Sequence, residues 1–363
     1  MTNASDRLRV GFIGATGRWG PTAHIPAIQQ LPETELYAVC TAHEETARAA
    51  SEKYSVELGY HNDKTMAANP QVEAVAVVVR VPAHYELTKN ALEAGKHVYC
   101  EWPLGANLKE TEELAVLARE KKVHTMVGLQ RRASPVYLRL AELVAEGYVG
   151  KVLAVNLNQI GGGVLSRPAD RTWQKDVTLG ANTLTIGFGH SIDALCMVAG
   201  EVTEVSAVVG TQVPKWYETD TQQYVDVTSP DNILMNGRLE GGAMVNAYVS
   251  VQPYHGSGYR MEIYGEEGTL VVSGAGGEQL QIFGGHKDDN QLQQIPVPER
   301  LTWVPSEVQA MGRGYEVGQM WVNFAKAIRT DTAVTPDFEH AVLRHKLLDA
   351  VQRASDTGQR VKL

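Results

Sequence analysis

Three glycines stand where the sequence predicts a turn between a strand and a helix. Gly14, Gly17 and Gly20 follow a short apolar run at residues 10–13. Glycines at such a turn let backbone N–H groups approach a diphosphate, and the N-terminus of the following helix adds positive potential. Thr16 occupies the place of the second glycine in the usual G-x-G-x-x-G pattern. A plain turn without a ligand is therefore the alternative interpretation.

The position of this turn favours nucleotide binding. It follows the first predicted strand, and strands and helices alternate behind it, as in a parallel sheet covered by helices. The predicted contacts with a dinucleotide are Gly14, Thr16, Gly17, Arg18 and Trp19.

The residues after the second predicted strand bear on the choice between NAD and NADP. An acidic residue directly after the apolar run at residues 36–40 would bind the ribose 2′-hydroxyl of NAD. Thr41 and His43 stand there instead, and the first acid is Glu44. We predict an NAD(P) cofactor with a mild preference for NADP, contacted by Thr41 and His43. The alternatives are that Glu44 or Glu45 reaches back to the ribose and that the site accepts both cofactors.

A further ligand edge is predicted after a central strand. Residues 73–79 form an almost continuous apolar run, which is typical of a buried parallel strand. Val81, Pro82 and His84 follow at its carboxyl end, where α/β sheets bind ligands. We predict cofactor contacts for all three, and for His84 a capping role in the next helix is equally favoured.

The length and the hydrophobic periodicity predict two domains. A chain of 363 residues exceeds what one core usually supports. We expect an α/β Rossmann dinucleotide-binding domain at residues 1–130. Residues 131–363 should form an α+β domain with a large open, mostly antiparallel sheet, because several short segments alternate with period two. The C-terminal helices are expected to pack back toward the first domain.

Composition narrows the functional class. The net charge of −9 and the pI of about 5.7 argue against a nucleic-acid-binding surface. No apolar stretch reaches the roughly 18 residues of a membrane span, and residues 1–6 lack a secretory signal. The three cysteines are far apart and the histidines are scattered, so neither a disulfide framework nor a metal site is predicted. We expect a cytoplasmic protein that does not bind membranes.

Several motifs resemble one known family along essentially the whole chain. Glu101-Trp102-Pro103 stands where the Gfo/Idh/MocA family (glucose–fructose oxidoreductase, inositol dehydrogenase and rhizopine oxidoreductase) has Glu-Lys-Pro. The first turn and the segments 128–135 and 265–270 are also similar to that family. Within it, stretches such as 185–193 look most like the galactose-regulon repressor of yeasts. That repressor binds the dinucleotide but acts as a sensor without turnover.

The resemblance implies a catalytic set of lysine, aspartate and histidine, of which this chain keeps one member. Trp102 replaces the lysine, Ile186 replaces the aspartate, and His190 remains. An imidazole suits proton transfer at neutral pH, so we predict His190 as the catalytic residue. A buried structural histidine is one alternative. A new acid–base group is the other, with the candidates Tyr254, His255, Arg167, Lys175 and Asp176. Glu101 and Trp102 are predicted cofactor contacts. The predicted substrate contacts are Trp102, Gln130, Arg167, Trp173 and Asp193, and for Asp193 an orienting or structural role beside His190 is also considered.

Taken with the predicted dinucleotide turn, the resemblance implies an NAD(P)-dependent oxidoreductase. We expect a small-molecule substrate of the sugar or cyclitol class, or a related hydroxyl or carbonyl compound. The alternative is a nucleotide-sensing regulator without turnover. The resemblance also implies a homodimer or homotetramer that pairs through the C-terminal sheet, unless helices cover both faces of that sheet.

Overall fold

The structure is a computed structural model, and it describes residues 7–275 and 279–363. The N-terminal segment 1–6 lies outside the described residues, as does part of a glycine-rich turn predicted at 274–277. Within the described part of the chain, no helix combines the length and apolarity that crossing a membrane would require.

The described strands fall into three sheets. They are β1 (Leu8–Ile13), β2 (Thr34–Cys40), β3 (Leu58–Tyr60), β4 (Ala74–Val77), β5 (His97–Glu101), β6 (Thr125–Gly128), β7 (Val152–Gly162), β8 (Ser166–Arg167), β9 (Val202–Gly210), β10 (Lys215–Glu218), β11 (Gln223–Asp226), β12 (Asn232–Leu239), β13 (Met244–Gln252), β14 (Gly258–Gly265), β15 (Gly268–Gly274), β16 (Gln281–His286), β17 (Gln293–Ile295) and β18 (Val361–Lys362).

The α-helices are mostly short, and two long ones lie near the C-terminus. They are α1 (Ile25–Gln30), α2 (Glu44–Tyr54), α3 (Asp63–Ala68), α4 (His84–Glu93), α5 (Leu108–Lys121), α6 (Pro135–Ala145), α7 (Gly189–Ala199), α8 (Ser306–Gln309), α9 (Arg313–Thr330) and α10 (Phe338–Thr357). Two π-helical segments, Gly20–His24 and Thr183–Phe188, lead directly into α1 and α7.

The chain divides into two compact units. The first contains Met1–Ala133 and Thr302–Leu343, and the second contains Ser134–Leu301 and Arg344–Leu363. The sequence predicts a boundary at residue 130, which lies close to the end of the first segment. The structure adds residues 302–343 to the first unit, so α8 and α9 belong to it.

The first unit is built on a six-stranded parallel sheet in the order β3-β2-β1-β4-β5-β6. Its inner strands are buried on both faces, which explains why β4 reads as an unbroken apolar run. The strand order reverses between β1 and β4, and α/β sheets bind ligands outside the carboxyl ends of strands at such a point. The predicted Rossmann architecture is confirmed.

Helix α9 completes the hydrophobic core of the first unit. Trp321 and Phe324 are fully buried among residues of β1 and α1, including Phe12 and Ile28. The Trp321 ring stacks on Tyr99 of β5 with a centroid separation of 4.7 Å and an interplanar angle of 20°. A segment distant in sequence therefore supports the strand that ends at Glu101.

The second unit contains a nine-stranded sheet in the order β17-β16-β15-β14-β7-β13-β12-β9-β18. Only the β7–β13 pair is parallel among these neighbours, so the predicted, mostly antiparallel sheet is confirmed. Burial alternates along β12, where Ile233 and Met235 are buried while Leu234 is exposed. One face of this part of the sheet packs into the unit and the other is open.

Candidate functional site

The turn after β1 exposes its backbone at the carboxyl edge of the first sheet. Thr16, Gly17 and Arg18 are exposed, while Trp19 is half-buried and packs beside His24. The Gly17 N–H donates to the Gly14 carbonyl over 3.0 Å, which closes the turn. The π-helical segment begins at Gly20 and carries Pro21 in its first turn. An exposed turn followed by a helical N-terminus fits a diphosphate.

At two of the three glycines, neighbouring atoms leave no room for a side chain. Gly14 has φ +103°, and a Cβ there would lie 2.0 Å from the Val78 carbonyl oxygen of the neighbouring strand connection. A Cβ on Gly20 would lie 2.8 Å from the Phe12 ring. Gly17 is less constrained, since its Cβ would come no nearer than 3.3 Å to the Gly14 oxygen. The unusual spacing of these glycines therefore reflects local packing. The turn at residues 14–20, called the dinucleotide cradle below, still leaves an exposed backbone that fits a dinucleotide.

The loop after β2 presents polar groups without a carboxylate at its first positions. The Thr41 hydroxyl lies 2.7 Å from the Thr46 hydroxyl and 3.1 Å from the His43 carbonyl oxygen. His43 itself is exposed just before α2. Glu44 and Glu45 are exposed in the first turn of that helix.

The His84 ring contacts both the segment that follows β4 and the segment that follows β5. Its Nδ1 lies 2.7 Å from the Pro103 carbonyl oxygen and its Nε2 lies 3.2 Å from the Val79 carbonyl oxygen. Burial lowers the pKa of His84. Both ring nitrogens face carbonyl oxygens, which can only accept hydrogen bonds. The side chain makes no capping bond to α4, and its cofactor contact stays a prediction. Val81 is buried beside it, while Pro82 is exposed.

Glu101, at the end of β5, is held from two sides. Its Oε1 accepts hydrogen bonds from His24 Nε2 over 2.9 Å and from Gln130 Nε2 over 2.9 Å. Gln130 Nε2 also lies 3.0 Å from Oε2. The Trp321 indole donates to His24 Nδ1 over 3.2 Å, which fixes the tautomer and leaves the Nε2 proton for Glu101. The carboxylate thus has one defined position at the edge of the sheet.

His24 and Trp321 are site residues that the sequence analysis did not identify. His24 lies in the helical segment that follows the glycine turn, and this position was the one available signal. Trp321 comes from α9, far along the chain. Gln130, predicted to contact substrate, instead uses its amide N–H groups to orient Glu101. Trp102 is 4% exposed directly after Glu101.

The second unit contains a cavity of about 340 Å³. The helical segment Thr183–Phe188, the sheet strands and the loop that carries Arg167 line it. Its polar lining residues include Gln159, Arg167, Arg171, Gln174, Asn182, Ser229, Asp231 and Ser250. Ile186, the replacement for the family aspartate, contributes an apolar wall. The volume is that of a small-molecule pocket.

Arg167 is the best-defined cation of this cavity. It is half-buried on β8, and its Cζ lies 4.0 Å from the ring centroid of Trp216 on β10. Its Nη1 donates to Gln174 Oε1 over 2.7 Å. Burial, together with the nearby charge of Arg171, lowers the pKa of Arg167 to about 10, so it stays protonated at neutral pH. Arg167 is one of the substrate contacts predicted from the sequence, whereas its contact with Trp216 was not predicted.

His190 begins α7 just after the cavity-lining segment. It lies four residues beyond Ile186, and residues at that spacing project from similar faces of a helix. His190 is partly exposed, unlike most of α7. It is not among the residues that line the cavity, and Trp173, half-buried on the segment Ala169–Lys175, is not among them either.

Asp193 has a different place from the one predicted. It is 1% exposed, and its Oδ1 accepts a hydrogen bond from Arg344 Nε over 3.2 Å. Arg344 is fully buried and also pairs with Glu201 over 2.9 Å. The structure therefore gives Asp193 an internal ion pair in place of the substrate contact predicted from the sequence.

No group of three His, Cys, Asp or Glu residues within 7–275 and 279–363 has an arrangement that could hold a metal ion. The three cysteines are buried and free. The described polar groups are thus organised as a dinucleotide cradle in one unit and a cavity in the other.

Comparison with known proteins assigns both parts. Residues 8–129 match the family described as "Oxidoreductase family, NAD-binding Rossmann fold", and residues 135–274 match "Gal80p, C-terminal domain". The dehydrogenase aclE of Aspergillus oryzae is 33% identical, with 98% of each chain covered. The galactose/lactose metabolism regulatory protein GAL80 of Kluyveromyces lactis is 28% identical over 76% of this chain and 65% of its own length.

A solved structure shares the fold. Levoglucosan dehydrogenase in complex with NADH and levoglucosan superposes with a TM-score of 0.86 at 21% identity, covering 98% of this chain and 99% of that one. The chain therefore belongs to the Gfo/Idh/MocA oxidoreductase family, on a branch whose C-terminal domain is similar to that of Gal80p.

Proposed function

We propose that the protein is an NAD(P)-dependent oxidoreductase acting on a sugar, a cyclitol or a related hydroxyl or carbonyl compound. The observation that carries the proposal is the polar cavity beside the helical segment that leads into His190. Polar residues such as Gln159, Ser229 and Ser250 line it, as suits the recognition of several hydroxyl groups. The relatives include dehydrogenases, among them a levoglucosan dehydrogenase of the same fold.

The nicotinamide, when bound, supplies or accepts the hydride. In the oxidative direction the substrate C–H bond breaks with its electron pair and the hydroxyl proton must leave at the same time. His190 is the group we assign to take that proton. Trp102 has one N–H donor and no basic group, and Ile186 has neither, so His190 acts without the usual lysine and aspartate.

The preference for NADP is part of the proposal. Thr41 and His43 occupy the positions after β2 at which an NAD-specific site would have an acid. Glu44 and Glu45 belong to the first turn of α2, where their negative charges interact favourably with the helix dipole. We expect a lower KM for NADP than for NAD, measured with one substrate under identical conditions.

The test of the function is a turnover assay. The purified protein is mixed with NAD or NADP and a panel of sugars, sugar acids and cyclitols, and reduced nicotinamide is followed by absorbance. Cofactor binding is measured separately by calorimetry. Binding without turnover on any compound, in either direction, would count against the enzyme.

His190→Ala tests the assigned proton acceptor. We expect kcat to fall by about 100-fold or more, because positioned acid–base groups contribute at least that factor. The dissociation constant of NADPH should stay within about twofold of that of the unmodified protein. His286→Ala, at an exposed position on β16 that does not line the cavity, serves as a matched control and should keep full activity. Equal kcat in the His190 variant would remove His190 from the mechanism.

A regulator that binds dinucleotide without turnover is the second candidate. The observation that favours it is the apolar Ile186 wall together with Trp102 in place of the family lysine. The similarity of residues 135–274 to the Gal80p C-terminal domain supports the same interpretation. Its mark would be a protein partner whose affinity changes when NADP or NAD is added.

We also propose that the protein pairs through the open face of the nine-stranded sheet. Val208, Leu234, Met244 and Tyr264 are exposed by 65%, 47%, 60% and 38%. Leu234 lies opposite Val208, while Met244 and Tyr264 both lie beside Ala154, so this face carries two apolar patches with Asn236 and Asn246 in the row between them. Exposed apolar patches rimmed by polar residues mark an interaction site.

Leu234→Glu is expected to convert the assembly to monomers, because its cross-strand neighbours Val208 and Tyr248 offer no cation and the charge would be buried without a partner in the paired sheets. The measurement is molar mass by light scattering during gel filtration. Val116→Glu, at a 42% exposed position on α5, is the control and should leave the mass unchanged. A monomeric wild-type protein at micromolar concentration would contradict the proposal.

A further inference from the structure

Arg167 and Arg171 place two guanidinium groups at one side of the cavity. Gln174 Oε1 accepts from Arg167 Nη1 over 2.7 Å and from Arg171 Nη2 over 3.3 Å. One neutral amide oxygen therefore serves two cations. Like charges held this close repel each other, and burial strengthens that repulsion.

Arg167 forms no ion pair with any Asp or Glu among the described residues. Its partners are Gln174 and the face of Trp216. Arg344, a fully buried arginine of the same unit, differs because it pairs with both Asp193 and Glu201. Buried cations are normally paired with acidic side chains, as Arg344 is.

The acids near Arg167 are engaged elsewhere. Glu218 lies opposite Arg167 in the strand register, but its carboxylate accepts hydrogen bonds from Thr172 and Thr221 over 2.5 and 2.6 Å. Asp231 lines the cavity, and its two oxygens accept from the Gln212 and Val213 N–H groups over 2.8 and 2.7 Å. Neither acid forms an ion pair with Arg167.

Hydrogen-bonding capacity also remains at this wall. The Arg167 Nε and Trp216 Nε1 atoms are buried and have no hydrogen-bond partner among the described residues. The Arg167 guanidinium lies over the Trp216 ring, with Cζ 4.0 Å from the ring centroid, and this cation–π contact favours one position of the cation. A planar cation fixed in this way matches the paired oxygens of a carboxylate or a phosphate.

We propose that this cavity binds an anionic group of the substrate, a carboxylate or a phosphate ester, on Arg167 and Arg171. The proposal rests on the proposed function, because it names the substrate class for the same cavity. The preferred substrate is then an acidic or phosphorylated sugar derivative, and its neutral counterpart binds less tightly.

The test is calorimetric titration of the full chain, saturated with NADPH, with four probes. Sodium glucuronate carries a carboxylate, glucose 6-phosphate carries a phosphate ester, glucose is the neutral counterpart and inorganic phosphate is the free anion. We expect at least one sugar anion to bind about 10-fold or more tightly than glucose, and its affinity to fall as salt is raised. The stronger of the two sugar anions identifies the anionic group, and equal binding of inorganic phosphate would show that the sugar adds nothing.

Arg167→Gln should weaken the preferred sugar anion by about 10- to 100-fold and leave glucose unchanged. Arg171→Gln, at an exposed position that carries little risk to folding, should weaken it several-fold. Lys215→Gln removes a neighbouring exposed cation outside the cavity and should have no effect. The unfolding midpoint of each variant checks that it is folded.

The inference is overturned if neither sugar anion binds more tightly than glucose, or if both arginine variants bind the anion like the unmodified protein. The two proposals fail separately. Arginine-dependent anion binding without turnover on any compound would reject the enzyme alone. Turnover of neutral sugars without an anion preference would reject the anion site alone.

Discussion

Gly14→Ala is expected to lower the stability of the first unit by about 4 kcal/mol and to weaken dinucleotide binding by more than about 100-fold. The added Cβ would meet the Val78 carbonyl oxygen at 2.0 Å, and a backbone atom cannot rotate away as a side chain can. The φ of +103° is also unfavourable for any residue with a Cβ. Either β1 and the segment after β4 separate or the turn changes shape.

Gly17→Ala is the matched control for stability. Its Cβ would lie 3.3 Å from the Gly14 oxygen, and its φ is not in the left-handed region, so a small shift accommodates it. Urea unfolding followed by circular dichroism measures stability, and titration with NADPH compares the affinity of the Gly14 variant with that of the unmodified protein. If the Gly14 variant were as stable as the Gly17 variant, the close approach to Val78 would not govern this turn.

The sequence predicted the first unit well because its signals are local. The apolar run at residues 74–77 is continuous since both faces of β4 are covered, and glycine at position 14 follows from one backbone dihedral angle. The Glu101 network was not predictable, since it joins β5 to His24 and Trp321. Residues so distant in sequence meet only after the sheet and α9 have packed.

The sequence predicted the fold class of the second unit but not the details of its structure. Alternation of apolar residues identified the large sheet, but the small sheet β11-β10-β8 depends on a two-residue strand with no periodicity. The pairing of Arg167 with Trp216 follows from that sheet and was therefore missed. Asp193 was assigned to the substrate because its partner, Arg344, comes from a helix about 150 residues later.

Arg344→Met is expected to destabilise the second unit by about 3–5 kcal/mol. Asp193 and Arg344 are 1% and 0% exposed, so the variant would leave the Asp193 carboxylate buried without its guanidinium partner. Glu201, 2.9 Å from Arg344 Nη2, is less buried and can turn toward water. The urea midpoint of the unfolding transition measures the loss. Arg353→Met, on the same helix and in an exposed pair with Asp349, should change stability by about 0.5 kcal/mol or less.

The origin of this loss can be separated from lost packing by a second substitution. Asp193→Asn in the Arg344→Met background removes the buried charge and should recover part of the stability, since replacing both partners avoids an uncompensated ion. A deficit that is unchanged in the double variant would mean that Arg344 acts through its volume rather than its charge.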